Sequence, residues 1–311
     1  GGLVAEAAIV DEADQFGAEG FIKKVAVKTI LPSFVKKESF VSSFIGEAKL
    51  VANLVHPNIV QIHHLGRHGK GYYIAMEYLD GVDLGRLIGE HRRRGIDLSV
   101  ELALLIIQRV CDGLQYAHSK TDDDGHPLHL VHRDVSPSNI MVGSAGEVKL
   151  TDFGVAKAAQ FMEDDADYLV GSVEYMSPEQ AACEPVDARS DLFSLGLVGY
   201  ELLTGERVFR DLGQDLEQAA RTVMEAELQD PRDVRPDLPH GVVEILMQCL
   251  RRDPAGRFAS AEALARAVEN EVYEWGRMPT AADLARHLAA LGLPVPDLEE
   301  GDHDREDLRQ S

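Results

Sequence analysis

The hydrophobic pattern changes its period once along the chain, between about residue 80 and Leu98. Before that change, Phe21–Ile30, Asn58–Leu65 and Tyr72–Tyr78 are rich in β-branched and aromatic residues, and we predict three strands, the last two joined by a polar hairpin. Phe40–Leu54 has apolar side chains at helical spacing and precedes a proline, which predicts one helix. The first part of the chain is therefore predicted to be mostly strand.

After the change, the pattern is mainly helical. Residues 101–118 form a long amphipathic sequence without proline, and its first glycine is Gly113. Short strands are predicted around Asn139–Asp152, and helices from Asp187 onward. We therefore expect an α+β fold with two lobes, a small β-rich lobe followed by a larger helical lobe.

The C-terminal residues, 276–311, have a pattern of their own. Thr280 with Asp283 three residues later resembles a capping box, and Gly292 stands where a helix would end. The last stretch is charged and lacks aromatic residues. We predict a short helix followed by an acidic, mobile tail.

The charge balance is strongly acidic. The 311 residues contain 31 Lys and Arg against 53 Asp and Glu, a formal net charge of −22. Such a surface repels phosphate backbones, so we expect no nucleic-acid partner. The excess acid either serves solubility or recruits basic protein substrates.

Cysteines and apolar runs indicate the compartment. Cys111, Cys183 and Cys249 are widely spaced and odd in number, which favours a reducing compartment, the cytoplasm, over disulfides or a zinc site. We predict that all three lie in the core. No run reaches the roughly 18 apolar residues of a membrane span, so we expect no membrane-spanning segment in this sequence. This expectation does not extend to an anchor in other parts of a longer chain.

Five polar residues stand where transfer of a phosphoryl group needs charge and metal ligands. Lys28 lies on a predicted strand and Glu47 on the helix that follows. Asp134 and Asn139 are five residues apart on a predicted loop, and Asp152 ends a strand before a glycine. Their segments are Val25–Lys28, His132–Asn139 and Asp152–Gly154.

In this order and at these intervals, the motifs resemble the signature set of eukaryotic-type (Hanks-type) protein kinases. The resemblance runs from Gly1 to about Tyr273, and the segment His132–Asn139 is similar to bacterial kinases of the myxobacterial group. It implies the bilobal kinase fold, with residues 1–79 as the N-lobe and 80–275 as the C-lobe. It also implies a signalling enzyme that uses ATP and Mg²⁺ to phosphorylate serine or threonine of protein substrates.

The resemblance implies catalytic roles for the same five residues. Lys28 contacts the α- and β-phosphates, and Glu47 holds it in an ion pair. Asp134 is the catalytic base, while Asn139 and Asp152 hold Mg²⁺.

The resemblance also implies a nucleotide site. Met76 is the gatekeeper, the backbone of Glu77–Leu79 reads the adenine edge, and Asp83 binds the ribose. The implied ATP-binding set is completed by Gly1, Gly2, Ala26, Lys28, Met141 and Asp152.

In the helical lobe, the resemblance implies a buried ion pair between Glu179 and Arg257, and a hydrogen bond from the catalytic-loop backbone to Asp191. Four further side chains are implied to stack between the lobes, namely those of Val51, Ile62, His132 and Phe153.

Two departures from the family pattern stand out. Only Gly1 and Gly2 stand near the phosphate-covering glycine loop, so we expect the chain to begin inside a degenerate loop with a weak grip on phosphate. Ser136 replaces the lysine that Ser/Thr kinases usually have there, which removes one positive charge near the γ-phosphate.

Three alternatives remain open from sequence alone. The departures are compatible with a pseudokinase that binds nucleotide or acts as a scaffold, although Lys28, Asp134, Asn139 and Asp152 are all retained. A small-molecule phosphotransferase is opposed by the segment Ser177–Glu179. Tyrosine specificity is opposed by Ser172, which matches a hydroxyl residue of the Ser/Thr kinases.

Overall fold

The protein is described by a computed structural model that covers residues 8–16, 20–30, 35–69, 71–122, 124–153, 173–210, 212, 216–225, 228–276 and 278–293. These residues form two sheets. The strands are Ala8–Phe16 (β1), Ile22–Ile30 (β2), Ile62–His68 (β3), Gly71–Glu77 (β4), Gly81–Asp83 (β5), Ile140–Gly143 (β6) and Val148–Leu150 (β7). The first sheet has the order β1-β2-β4-β3 and the second the order β5-β6-β7, and all pairs are antiparallel.

One helix accompanies the first sheet, and the others follow it. The α-helices are Glu38–Val51 (α1), Leu84–Arg94 (α2), Val100–His118 (α3), Pro178–Ala181 (α4), Ala188–Thr204 (α5), Leu216–Glu225 (α6), His240–Cys249 (α7), Ala261–Glu274 (α8) and Ala281–Leu291 (α9). The predicted division into a β-rich lobe and a larger helical lobe is therefore observed. None of these helices combines the length and apolarity that crossing a bilayer requires.

The helix ends follow local signals. Asp187 precedes α5, and its side chain accepts a hydrogen bond from Arg189 N, while Gly205 ends the helix at a φ of 71°. The predicted capping box of Thr280 and Asp283 is present at the start of α9, and Gly292 ends that helix in the left-handed region. Both elements begin where the sequence predicts.

The segment before β3 corrects one prediction. The sequence predicts a strand over Asn58–Leu65, but β3 begins only at Ile62. The preceding residues pair with the helical lobe instead, because Leu150 N donates to Asn58 O at 2.9 Å and Val60 N donates to Leu150 O at 2.8 Å. Asn58 Nδ2 also donates to Val148 O at 2.8 Å. This segment therefore joins the two lobes.

Other element bounds differ in smaller ways. Strand β1 has no counterpart among the predicted strands, and it pairs along its full length with β2. The polar hairpin predicted between β3 and β4 is mostly strand, since β3 continues to His68 and β4 begins at Gly71. Helix α1 begins at Glu38, two residues earlier than expected, and ends at Val51, three residues earlier than expected. Backbone pairing between strands decided the strand ends.

Two cysteines lie in the core as predicted, and one does not. Cys111 and Cys249 are buried, and burial raises the pKa of both thiols, that of Cys249 to about 12. Cys183 is exposed and follows the short helix α4 with a φ of 54°. The prediction for Cys183 was wrong because its neighbours form a turn rather than a buried helix.

Side chains from both lobes meet at their junction. The buried cluster there is formed by Val51, Leu54, Ile59, Ala117, Leu130 and Phe153. The helical lobe has the largest cluster, and α9 contributes Leu284, Leu288 and Leu291 to it. Helix α9 is therefore packed on the helical lobe.

Candidate active site

The loop between α3 and β6 contains the predicted catalytic pair. Asn139 Nδ2 donates to the Asp134 backbone oxygen at 2.9 Å and to Asp134 Oδ2 at 2.6 Å. Among the hydrogen bonds of the described residues, none uses Asn139 Oδ1. The amide therefore orients the Asp134 carboxylate while it keeps an oxygen available as a metal ligand.

Asp191, in the first turn of α5, anchors this loop. It is fully buried and accepts hydrogen bonds from His132 N at 2.8 Å and Arg133 N at 2.7 Å. The ring nitrogen Nε2 of His118, at the end of α3, lies 2.7 Å from Asp191 Oδ2. The predicted bond from Asp191 to the loop backbone is confirmed, and His118 is an additional contact that the sequence did not reveal.

Lys28 and Asp152 form an ion pair across the cleft. Strand β2 places Lys28, and Asp152 follows β7 with a φ of 55°; Lys28 Nζ lies 2.7 Å from Asp152 Oδ1. The Lys28 side chain is 13% exposed and that of Asp152 32%, so the pair borders solvent. An ammonium and a carboxylate in this position can approach the phosphates and the metal of a bound nucleotide.

Four predicted residues lie wholly or partly outside the described part of the chain. The backbone of Glu47 belongs to α1, but its side chain is not among the described ones, so the Lys28–Glu47 ion pair stays a prediction. Gly1, Gly2 and Ser172 lie entirely outside the described residues, and the roles predicted for them stay predictions as well.

Strand β4 leads into the predicted hinge. Met76 lies opposite Ala26 in the sheet and is buried, and behind it a cavity of about 20 Å³ reaches Lys28 and Asp152. That volume holds about one water molecule. A nucleotide base does not fit in this cavity, and the gatekeeper role of Met76 stays a prediction.

The hinge has an available donor. No hydrogen bond within the described residues uses the backbone N–H of Leu79. Glu77 is held from the other lobe, since Lys149 Nζ lies 3.0 Å from its carboxylate. The Leu79 N–H can therefore pair with an adenine edge.

The sequence did not reveal the contact between Lys149 and Glu77. The alternating pattern of Val148–Leu150 indicates that the Lys149 side chain points away from the core, but Glu77, 72 residues away, could not be predicted as its partner.

The second sheet forms the other side of the cleft. Asp83 of β5 lies opposite Met141 of β6. Asp83 Oδ1 caps α2 by accepting from Arg86 N at 2.9 Å. Capping fixes the direction of the Asp83 carboxylate, and the sheet brings together two residues from distant parts of the sequence that were predicted for the nucleotide site.

The predicted stack between the lobes is present. Val51, Phe153 and the partly buried Ile62 belong to one cluster, and the rings of His132 and Phe153 lie 4.5 Å apart. His132 Nε2 also lies 3.0 Å from Thr151 O. The segments that contain Asp134 and Asp152 are thus tied together through their neighbours.

His132 is buried as a neutral ring. Burial lowers its pKa below the usual value near 6.5, because the charged form loses hydration, although Asp191 and Asp134 oppose the shift. The neutral tautomer that donates from Nε2 to Thr151 O leaves Nδ1 free to accept from Asp134 N at 3.3 Å. Protonation would remove that acceptor.

We expect the stability of the fold to decrease as the pH falls below about 6.5, the range in which the unfolded chain protonates His132 and the folded chain does not. One such proton contributes a slope of up to about 1.4 kcal/mol per pH unit. Urea unfolding between pH 5 and 8 measures this, with His132→Phe as the variant that lacks the proton. Equal slopes for the two proteins would contradict the assignment.

The helical lobe contains a buried ion pair close to the catalytic loop. Arg257 donates to Glu179 Oε1 at 2.7 Å and to Oε2 at 2.8 Å, so the predicted ion pair is confirmed. Burial alone would raise the pKa of Glu179, but the hydrogen bonds from Arg257 and Ser190 outweigh it and hold the pKa below its ordinary value. Glu179 is therefore charged and paired.

Ser136 is buried next to the catalytic pair, and its Oγ lies 3.0 Å from Ser138 Oγ. Its hydroxyl cannot supply the positive charge of the lysine that it replaces. This departure from the family pattern is thus accommodated without disturbing Asn139.

The comparison with protein families finds a matching model. The model described as "Protein kinase domain" matches residues 19–268, which include all the described site residues.

Curated relatives are bacterial kinases. The tyrosine-protein kinase MasK of Myxococcus xanthus is 42% identical over 279 residues, which cover 87% of this chain and 42% of that protein. The serine/threonine-protein kinases PknA of Mycobacterium tuberculosis and PrkC of Bacillus subtilis are 34% and 33% identical, over 79% and 77% of this chain and 54% and 35% of their own lengths. The chain thus spans about half or less of these relatives.

Solved structures agree with the fold. The crystal structure of the Mycobacterium tuberculosis PknI kinase domain matches with a TM-score of 0.65 and 27% identity, covering 86% of this chain and 91% of that chain.

Proposed function

The chain belongs to the protein kinase domain family, and we propose that it transfers the γ-phosphoryl group of ATP to serine or threonine hydroxyls of other proteins. The observation that supports this most is the contact between the segment that contains Asp134 and the segment that contains Asp152. The His132–Phe153 contact and the bond to Thr151 O hold Asp134 and Asp152 in one cleft. The division into residues 1–79, 80–275 and 276–311 is part of the same proposal.

In the proposed mechanism, the nucleotide is held from both lobes. The Leu79 N–H binds the adenine edge, Ala26 and Met141 enclose the base, and Asp83 binds the ribose with the oxygen that does not cap α2. Lys28 moves from Asp152 to the α- and β-phosphates. Gly1 and Gly2 are proposed to cap phosphate.

The residues also fit a divalent cation. Asp152 offers carboxylate oxygens and Asn139 an amide oxygen, which are the ligands that Mg²⁺ prefers. A bound Mg²⁺ neutralises the phosphate charge that develops during transfer. Asp134, oriented by Asn139, accepts the proton of the attacking hydroxyl. Glu47 is proposed to hold Lys28 in the active arrangement.

The pseudokinase alternative has no observation in its favour beyond the two sequence departures. The bonds from Asn139 to Asp134 are those that an active site needs. Lys28 lies beside Asp152 in the cleft, from which it can reach the phosphates.

Tyrosine as the acceptor, the second candidate specificity, does have support. The MasK relative, at 42% identity, is named a tyrosine-protein kinase. The sequence argument for serine and threonine depends on Ser172, which lies outside the described residues. Tyrosine is therefore the alternative acceptor that an experiment must separate.

We expect transfer from radiolabelled ATP to a basic peptide with one serine, and a rate at least about tenfold lower for matched peptides with one tyrosine. Phosphoamino acid analysis of a generic basic protein gives the same comparison. Chelation of Mg²⁺ should abolish transfer to every acceptor. Phosphotyrosine as the main product would reject the proposed specificity while leaving kinase activity established.

A further inference from the structure

Arg133, directly before the proposed base, has an unusual backbone. Its φ is 65°, in the left-handed region that residues other than glycine rarely adopt. Such a conformation persists only where the surroundings hold it in place. Because Asp134 is the next residue, the direction of its carboxylate depends on this peptide geometry.

The loop is held at the N–H of Arg133 and at its carbonyl. Asp191 accepts from Arg133 N at 2.7 Å, as the family resemblance implies. On the other side, Gln180 Nε2 donates to Arg133 O at 2.8 Å. The carbonyl of Arg133 belongs to the peptide that leads into Asp134. This second contact fixes the orientation of that peptide.

The side chain of Gln180 is itself fixed. It is 7% exposed and belongs to the capping box of α4, in which Gln180 Oε1 accepts from Ser177 N at 3.1 Å and Gln180 N donates to Ser177 Oγ at 3.3 Å. Only one orientation of the amide satisfies both ends, because its oxygen faces an N–H and its nitrogen faces a carbonyl. The donor is therefore aimed at Arg133 O.

We propose that Gln180 is a positioning residue that holds the left-handed Arg133 peptide and thereby the Asp134 carboxylate. The contact joins α4, which also contains Glu179 of the buried ion pair, to the catalytic loop. A displacement of α4 would reach Asp134 through one hydrogen bond. This inference rests on the proposed function only in taking Asp134 as the base.

Two substitutions separate this role from helix capping. Gln180→Glu keeps an acceptor for Ser177 N, but when ionised it cannot donate and places an oxygen against Arg133 O. Gln180→Met has no donor at any pH. At pH 8.5 both variants should lose at least about tenfold in kcat, with KM for ATP changed by less than about threefold.

The matched control is Thr280→Ala, which breaks a second capping box, at the start of α9. It should lower the melting temperature and leave kcat unchanged. Hydrogen exchange of the peptide that contains residues 131–139 should be faster in both Gln180 variants and unchanged in the control.

If both Gln180 variants keep kcat within about twofold of the wild type, the inference is wrong even though the kinase is active. If the wild-type protein transfers no phosphate, the proposed function fails instead. If Asp134→Asn retains activity, only the assignment of Asp134 as the base fails. The exchange measurement does not require activity, so unchanged exchange in both variants would overturn the positioning role by itself.

Discussion

Asp134→Asn is expected to reduce phosphoryl transfer at least about a hundredfold while the melting temperature stays close to that of the wild type. The substitution keeps the shape of the side chain, and an amide oxygen can still accept from Asn139 Nδ2. An amide cannot accept the proton of the attacking hydroxyl. The loss therefore falls on the chemical step, and single-turnover transfer with saturating ATP and Mg²⁺ measures it.

The control for this variant is Asp97→Asn, the same change of charge on an exposed loop between α2 and α3. It should transfer phosphate at the wild-type rate. Retention of more than a few per cent of the rate by Asp134→Asn would show that another group takes the proton, since a positioned base contributes about 10²–10⁴-fold.

Arg257→Ala is expected to destabilise the helical lobe by about 3 kcal/mol or more. The Arg257 side chain is fully buried, and its guanidinium donates to both oxygens of Glu179 and to three backbone carbonyls, and lies 4.8 Å from the centre of the Phe193 ring. Removing it leaves Glu179 as a buried charge without its partner. Urea unfolding and thermal melts measure the loss.

Arg266→Ala is the matched control, because Arg266 pairs with Glu262 on the exposed side of α8. An exposed pair of this kind contributes less than about 1 kcal/mol. A melt of Arg257→Ala that coincides with that of Arg266→Ala would mean that the buried pair adds little to stability.

Local signals in the sequence determined the elements and many of their ends. Asp187 before α5, Thr280 with Asp283, and Gly292 all act within one turn of a helix, so a short window of sequence contains the whole interaction. The two-lobed division followed from the change of hydrophobic period. The set of site residues is what the resemblance of the motifs to the kinase signature implies.

Contacts between distant segments were decided by the tertiary structure. The left-handed backbone of Arg133 and its bond to Gln180, 47 residues away, depend on how the helical lobe folds. The Lys149–Glu77 pair depends on how the two lobes meet. Asn58 lies outside β3, contrary to the prediction, because it forms hydrogen bonds with the backbone of β7. Hydrogen-bond partners are chosen by position in space, and residue type alone does not specify them.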